Sequence, residues 1–332
     1  MSRMEKFAYG LLVIIAVIAI LGIFYSLFGS GDSEERVDLA AKDSQKPVIT
    51  LVLRETQSDF WQTVTMGAEA AAKEFGLSLV VEAPADSDDI SGQQALVTKS
   101  LKGKSKALIV AAADDVEMAK TVVSARIPVI AIDTDIEAPS VRTFIGVDNY
   151  EAGKKAGEQI AEMMSKQGQV VILSSVKDDR NMELRMRGIL DAFKPESFVT
   201  VLDNRYCLSG IEACEQVVQS LMNATLVDGI VALDAEAAIG AGRELVRRGE
   251  EERVQVVAFE SAHEQLEQLQ DGVLEATIVQ NPFSMGYLGV KHAVEAIDGD
   301  QIPRRVEIPS KVIDRENMFW MDNQKLLFPF VK

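Results

Sequence analysis

Residues 49–67 read ITLVLRETQSDFWQTVTMG. The run Ile49–Leu53 is aliphatic and β-branched, without the polar alternation of a strand wetted on one face, so it reads as a strand buried on both faces. A polar stretch, Arg54 to Asp59, follows. From Phe60 the apolar residues recur at helical spacing as far as Phe75, which predicts an amphipathic helix. Strand, polar loop and helix form the unit from which the rest of the chain is read.

The unit recurs. Further strands are expected at Leu77–Val81, Ala107–Ala111, Ile127–Ile132, Val170–Leu173, Val199–Leu202, Gly229–Leu233, Val254–Phe259 and Ala276–Val279. Helical spacing marks Ala152–Met164, Met182–Phe193, Ile211–Met222 and Ala237–Arg247 among the segments between them. Short apolar runs alternating with amphipathic helices predict an α/β fold of parallel sheets covered on both faces. That many strands in a chain of 332 residues predict two doubly wound lobes in place of one open sheet. A dinucleotide-binding enzyme is set aside. Gly240-Ala241-Gly242 is followed by Leu245 where the third glycine of the phosphate fingerprint belongs. The stretch reads more simply as a small-residue helix face.

Ligands of open α/β sheets bind beyond the carboxyl ends of the strands. In that position stand Arg54, Ser58, Phe60 and Trp61 after the first strand, and Asp133 and Thr134 after the fourth. Asn181 and Arg185 open the helix after the fifth strand, and Asp234, Glu260 and Gln280 end the last three. A carboxylate after a strand is also a ready helix N-cap. Aromatics and arginines are not. Carboxylates accept from neighbouring hydroxyls, an arginine fork donates to two oxygens, and aromatic faces cover sugar C–H faces. The set predicts a small, neutral, polyhydroxylated ligand.

The N-terminus carries a second signal. Phe7 to Phe28 contain no charge and span roughly 33 Å as a helix, about one hydrocarbon core. Arg3 and Lys6 precede the run, and Asp32, Glu34, Glu35 and Asp38 follow it. Positive-inside logic places the remainder outside the cytoplasm. An uncleaved anchor is expected. A cleaved signal peptide, which would release the chain, is the competing reading. Residues 29–46 read as a polar tether.

A net charge of -17 argues against nucleic acid, which needs basic surface. With two cysteines and two histidines, no metal or cofactor is expected. Cys207 and Cys214 leave a disulfide and two free thiols both open. Asp234 and Glu260 raise the idea of a glycosidase, though nothing marks a general acid in an apolar pocket.

Several segments now resemble a known family. They are Ile49–Gly67 above, IPVIAID at 127–133, IGVDNYEAGKKAG at 145–157, RMRG at 185–188, VALDAEAAIG at 231–240, VVAFE at 256–260, ATIVQNPFSMGYLG at 276–289 and ENMFWMDNQKLL at 316–327. Together they resemble the type I periplasmic binding proteins, in the ribose-binding branch. The resemblance implies two α/β lobes joined by three hinge crossovers and closing on a ligand. It places lobe one at 47–147 plus 282–309 and lobe two at 148–281 plus 310–332, after an anchor at 1–28.

Position by position, the resemblance puts Arg54 and Ser58 on polar ligand contacts and Phe60 and Trp61 on the aromatics that stack against the sugar. Asp133 falls on the lobe-one carboxylate, Arg185 on the lobe-two arginine and Gln280 on the glutamine of the second crossover. Thr134 stands where the branch has Arg, Asp234 where it often has Asn and Glu260 where it usually has Asp. A lobe-two aromatic is missing at Leu208–Ser209, and Tyr206 is the nearest substitute. The implied function is non-enzymatic capture of a sugar or polyol for an ABC permease or a membrane sensor.

Overall fold

The computed structural model describes residues 46–193, 198–202, 204–208 and 210–328. The expected anchor and all of the tether before Lys46 lie outside them. Among the described residues, no helix is long and apolar enough to cross a membrane.

The first sheet gathers β1 (Val48–Val52), β2 (Ser78–Glu82), β3 (Ala107–Val110), β4 (Val129–Ile132), β5 (Val141–Gly146) and β12 (Arg305–Glu307). Their order is β12-β5-β4-β3-β1-β2, all parallel. The second sheet gathers β6 (Gln167–Ser174), β7 (Phe198–Val201), β9 (Gly229–Ala232), β10 (Gln255–Phe259), β11 (Ala276–Val279) and β13 (Lys311–Asp314), in the order β13-β11-β10-β9-β6-β7. The short β8 (Arg205–Tyr206) also pairs with β6. The two orders correspond strand for strand. They differ at the edge, where β13 runs antiparallel to β11.

The helices are α1 (Asp59–Glu74), α2 (Ile90–Lys102), α3 (Asp115–Val122), α4 (Asn149–Met163), α5 (Arg180–Phe193), α6 (Ile211–Ala224), α7 (Ala235–Arg248), α8 (His263–Asp271), α9 (Pro282–Asp298) and α10 (Met321–Leu327). Helices α1 and α9 pack together against the first sheet, and α4 and α5 pair against the second. Alternate strand residues feed opposite faces. Ile109 joins the apolar layer under α1 and α9, while Leu108 and Val110 join the layer under α2 and α3. The chain passes between sheets at three places: after β5, after β11, and between β12 and β13.

Two features of the sequence reading change. Strands β5, β8, β12 and β13 were not anticipated: β8 and β12 have two and three residues, β13 is an edge strand opened by Lys311, and in β5, an inner strand, Arg142 and Thr143 interrupt the apolar residues. Strand β6 begins three residues earlier than its apolar core, extended by Gln167, Gly168 and Gln169 pairing with β7. The Gly240 stretch is a packing face: a Cβ there would lie 2.5 Å from the Cys214 Cβ on α6. Cys207 and Cys214 form a disulfide that ties β8 to α6, and both are buried.

Candidate functional site

A cavity of about 480 Å³ lies at the carboxyl ends of both sheets. The lobe-one wall holds Arg54, Ser58, Phe60, Trp61 and Asp133, and the lobe-two wall holds Arg185, Asp234 and Glu260, with Gln280 at the second crossover. With Asn181, which also lines it, those are ten of the eleven strand-end candidates. Thr134 is the exception: it does not line the cavity. It is buried behind Asp133, and its hydroxyl bonds the Asp133 carboxylate (3.2 Å) and accepts from Asn181 (3.4 Å).

Asp133 and Glu260 project from the ends of β4 and β10 with left-handed backbones, φ 62° and 78°. Non-glycine residues rarely adopt that region, and it concentrates at functional sites. Burial pushes the Asp133 carboxyl above its ordinary range, against the pull of Arg54 and Arg185. Burial also lifts Glu260 to about 7; Arg185 opposes the rise, and Asp234 and Asp133 add to it. Glu236 is raised too, by burial and by neighbouring Asp234.

Arg185 is almost fully buried, at 2% exposure. Its Nε donates to Asn149 (2.9 Å), its Nη1 donates to the Leu233 carbonyl (2.5 Å), and the guanidinium lies 4.5 Å from the Phe259 ring centroid. Gly153 makes this placement practicable. A Cβ there would lie 2.0 Å from the Arg185 carbonyl, so the glycine lets α4 and α5 approach.

Asp234 is the N-cap of α7. It accepts from Ala237 N–H (3.0 Å), Ser175 N–H (2.8 Å) and Ser174 Oγ (3.1 Å). Ser58 caps α1 in the same manner and donates its hydroxyl to Glu55 (2.5 Å). Phe60 and Trp61 meet edge to face with centroids 4.9 Å apart. Trp61 is buried in the core, and Phe60 is half-buried at the cavity wall.

The cavity is closed by contacts across the lobes from three successive residues. Asp179 accepts from Arg54 Nη1 (2.7 Å), and Arg180 pairs with Asp115 (2.9 Å) and Glu137 (3.1 Å). Asn181 donates to the Asp133 carboxylate (3.1 Å). Burial works against the Arg54 charge, but Asp179 overrides it and holds the guanidinium above its ordinary value. Asp179 is not among the sequence candidates, although Asn181 two residues on is; its partner Arg54 is 125 residues away, and nothing local marks the pairing. Met182, Val176 and Glu236 also line the cavity. Tyr206 does not. It borders a separate groove with Arg205 and Leu208, so the expected substitute for a lobe-two aromatic is withdrawn.

Residues 49–301 match the periplasmic binding protein domain family. The ribose import binding protein RbsB of Escherichia coli K12 is 25% identical over 283 residues, covering 84% of this chain and 94% of that protein. A carbohydrate transporter solute-binding protein from Agrobacterium radiobacter, solved with D-arabinose, superposes with a TM-score of 0.81 at 25% identity, covering 85% of this chain and 99% of its own. GanP, a glucose–galactose binding protein from Geobacillus stearothermophilus, gives a TM-score of 0.79 at 26% identity, covering 83% and 99%. With the family match running through both sheets and the cavity between them, the chain belongs to the periplasmic binding protein domain family.

Proposed function

We propose that this protein captures a small carbohydrate or polyol between its two lobes and passes it to a partner in the membrane, an ABC-type permease or a sensor. The observation that carries the reading is the cavity at facing strand ends, lined by aromatics, carboxylates, two arginines and amides. The sugar ligands named for its relatives support the same class. Asp133, Arg185, Glu260 and Gln280 are the ligand contacts in this reading, with Phe60 and Trp61 covering the ring. Asp234 and Ser58 hold helix starts and present their remaining lone pairs. The working boundaries are those of the resemblance: lobe one 47–147 plus 282–309, lobe two 148–281 plus 310–332. The binding domain acts outside the cytoplasm, tethered through residues 7–28, which raises the local concentration of same-membrane partners.

No bond of the ligand is made or broken in this reading. One observation favours a rival: a carboxyl lifted to about 7, such as Glu260, is what a glycosidase acid needs. Product formation from a bound glycoside separates the two. The direct test is a thermal-shift screen of the purified protein against pentoses, hexoses, inositols, sugar acids and amino acids. A specific ligand at about 100 times its Kd adds ~2.7 kcal/mol of stability. A sugar or polyol shift that Asp133→Ala abolishes supports the reading. A shift from amino acids alone overturns the ligand class.

A further inference from the structure

The charges of the cavity do not balance. Five carboxylates line it, Glu55, Asp133, Asp234, Glu236 and Glu260, against the two guanidinium groups of Arg54 and Arg185. Arg54 is already engaged by a further carboxylate, Asp179. Arg185 spends Nε and Nη1 on Asn149 and the Leu233 carbonyl, and forms no ion pair with a cavity carboxylate. Asp234 is satisfied by three protein donors. Glu236 is exposed to solvent, which leaves Asp133 and Glu260 as the enclosed carboxylates without a paired cation among the described residues. Gln280, only 5% exposed, faces the same space with an amide that bonds no described side chain.

Buried carboxylates without a cation are costly when ionised, and a cation brought between them relieves that cost. The hydroxyls of a neutral sugar offset part of it by hydrogen bonding but leave the charge in place, and an anionic sugar aggravates it. We propose that the carbohydrate taken by this cleft carries an ammonium group, as an amino sugar or amino polyol does, seated against Glu260 on the side of Asp133. This rests on the carbohydrate-binding reading above. Gln280 and the free Nη2 of Arg185 then serve the ligand hydroxyls. Phe60 offers its ring to the apolar face, and a cation near an aromatic face gains further.

The test is calorimetry on the full protein with matched sugars: D-glucosamine, D-galactosamine and D-mannosamine, each beside its neutral parent hexose and its N-acetyl derivative. The expected result is that at least one amine binds about tenfold or more tighter than both its parent and its N-acetyl form, about 1.4 kcal/mol or more. Glu260→Gln is expected to collapse that ratio, and Glu260→Asp, which keeps the charge, to retain it. Melting curves of both variants establish that they fold. A neutral parent that binds as tightly as its amine overturns the ammonium inference and leaves the carbohydrate reading standing. Binding of none of these hexoses, beside a neutral pentose or polyol hit in the thermal-shift screen, overturns the ammonium inference alone; silence in both overturns both readings.

Discussion

Asp133 and Glu260 hold the same place in the two lobes. Each follows the third strand in from its sheet's hinge-side edge, each has a left-handed backbone, and each donates its N–H to the neighbouring strand, to Ile145 O (3.0 Å) and Ile278 O (3.1 Å). The corresponding strand orders of the sheets thus deliver two facing carboxylates to one cavity. Both carry raised proton affinities because that cavity desolvates them.

Stability is therefore expected to fall as pH rises through neutrality. Glu260 binds its proton more tightly folded (about 7) than at its ordinary 4.5, so its contribution is complete below pH 4.5 and lost as pH passes about 7. Glu275, whose carboxylate is desolvated beside the Val256 amide, is also lifted to about 7 and acts in the same window. Urea unfolding between pH 5 and 8 should show the decline, and Glu260→Gln with Glu275→Gln should flatten most of it. A parent curve flat over that range would contradict the burial of both groups.

Asp179→Ala should loosen the lobes. It leaves Arg54 in a largely buried place without its carboxylate, and breaking a buried pair on one side costs about 3–5 kcal/mol. Small-angle scattering should show a larger radius of gyration, and the melting temperature should drop. Replacing both partners, Arg54→Met with Asp179→Leu, should lose much less stability than the single change. Equal losses would mean the ion pair does not hold the lobes.

Asp133→Ala and Arg185→Ala should separate binding from folding. Each should weaken ligand binding by about 1.5–3 kcal/mol through a lost charge-assisted hydrogen bond. A residue of a cleft edge is expected to spare the fold when removed, and that holds for Asp133. For Arg185 the structure reverses that expectation. Its removal leaves Asn149 and the Leu233 carbonyl unpaired in a buried place, so its melting temperature should fall clearly below that of Asp133→Ala.

Reducing the Cys207–Cys214 bond should cost roughly 2.5 kcal/mol on the chain-entropy account for so short a loop. Denaturation with and without reductant measures it. A non-reduced digest in which the two peptides separate would disprove the pairing.

Much of the fold was legible in the chain itself. Runs such as Ile49–Leu53 and Val254–Phe259 announce doubly covered strands because burial on both faces permits no polar alternation. The N-cap at Asp234 was legible too, as a carboxylate after a strand, where a helix start leaves N–H groups open. The edge strands β12 and β13 were not, since they are held by a neighbour's ladder more than by their own apolar content, and in the inner strand β5 Arg142 and Thr143 break up the apolar residues.

For the cleft, the sequence determined which polar residues end the strands, because strand length and direction place them there. Only the tertiary structure decided what each is free to do. It showed Arg54 taken by Asp179, Thr134 hidden behind Asp133, and Arg185 half committed to its own lobe. Arg54 and Asp179 are 125 residues apart on different lobes, and Arg185 reaches Asn149 and Leu233 on other elements of its own lobe, so each pairing depends on how segments distant in sequence meet. No local pattern of residues encodes that meeting.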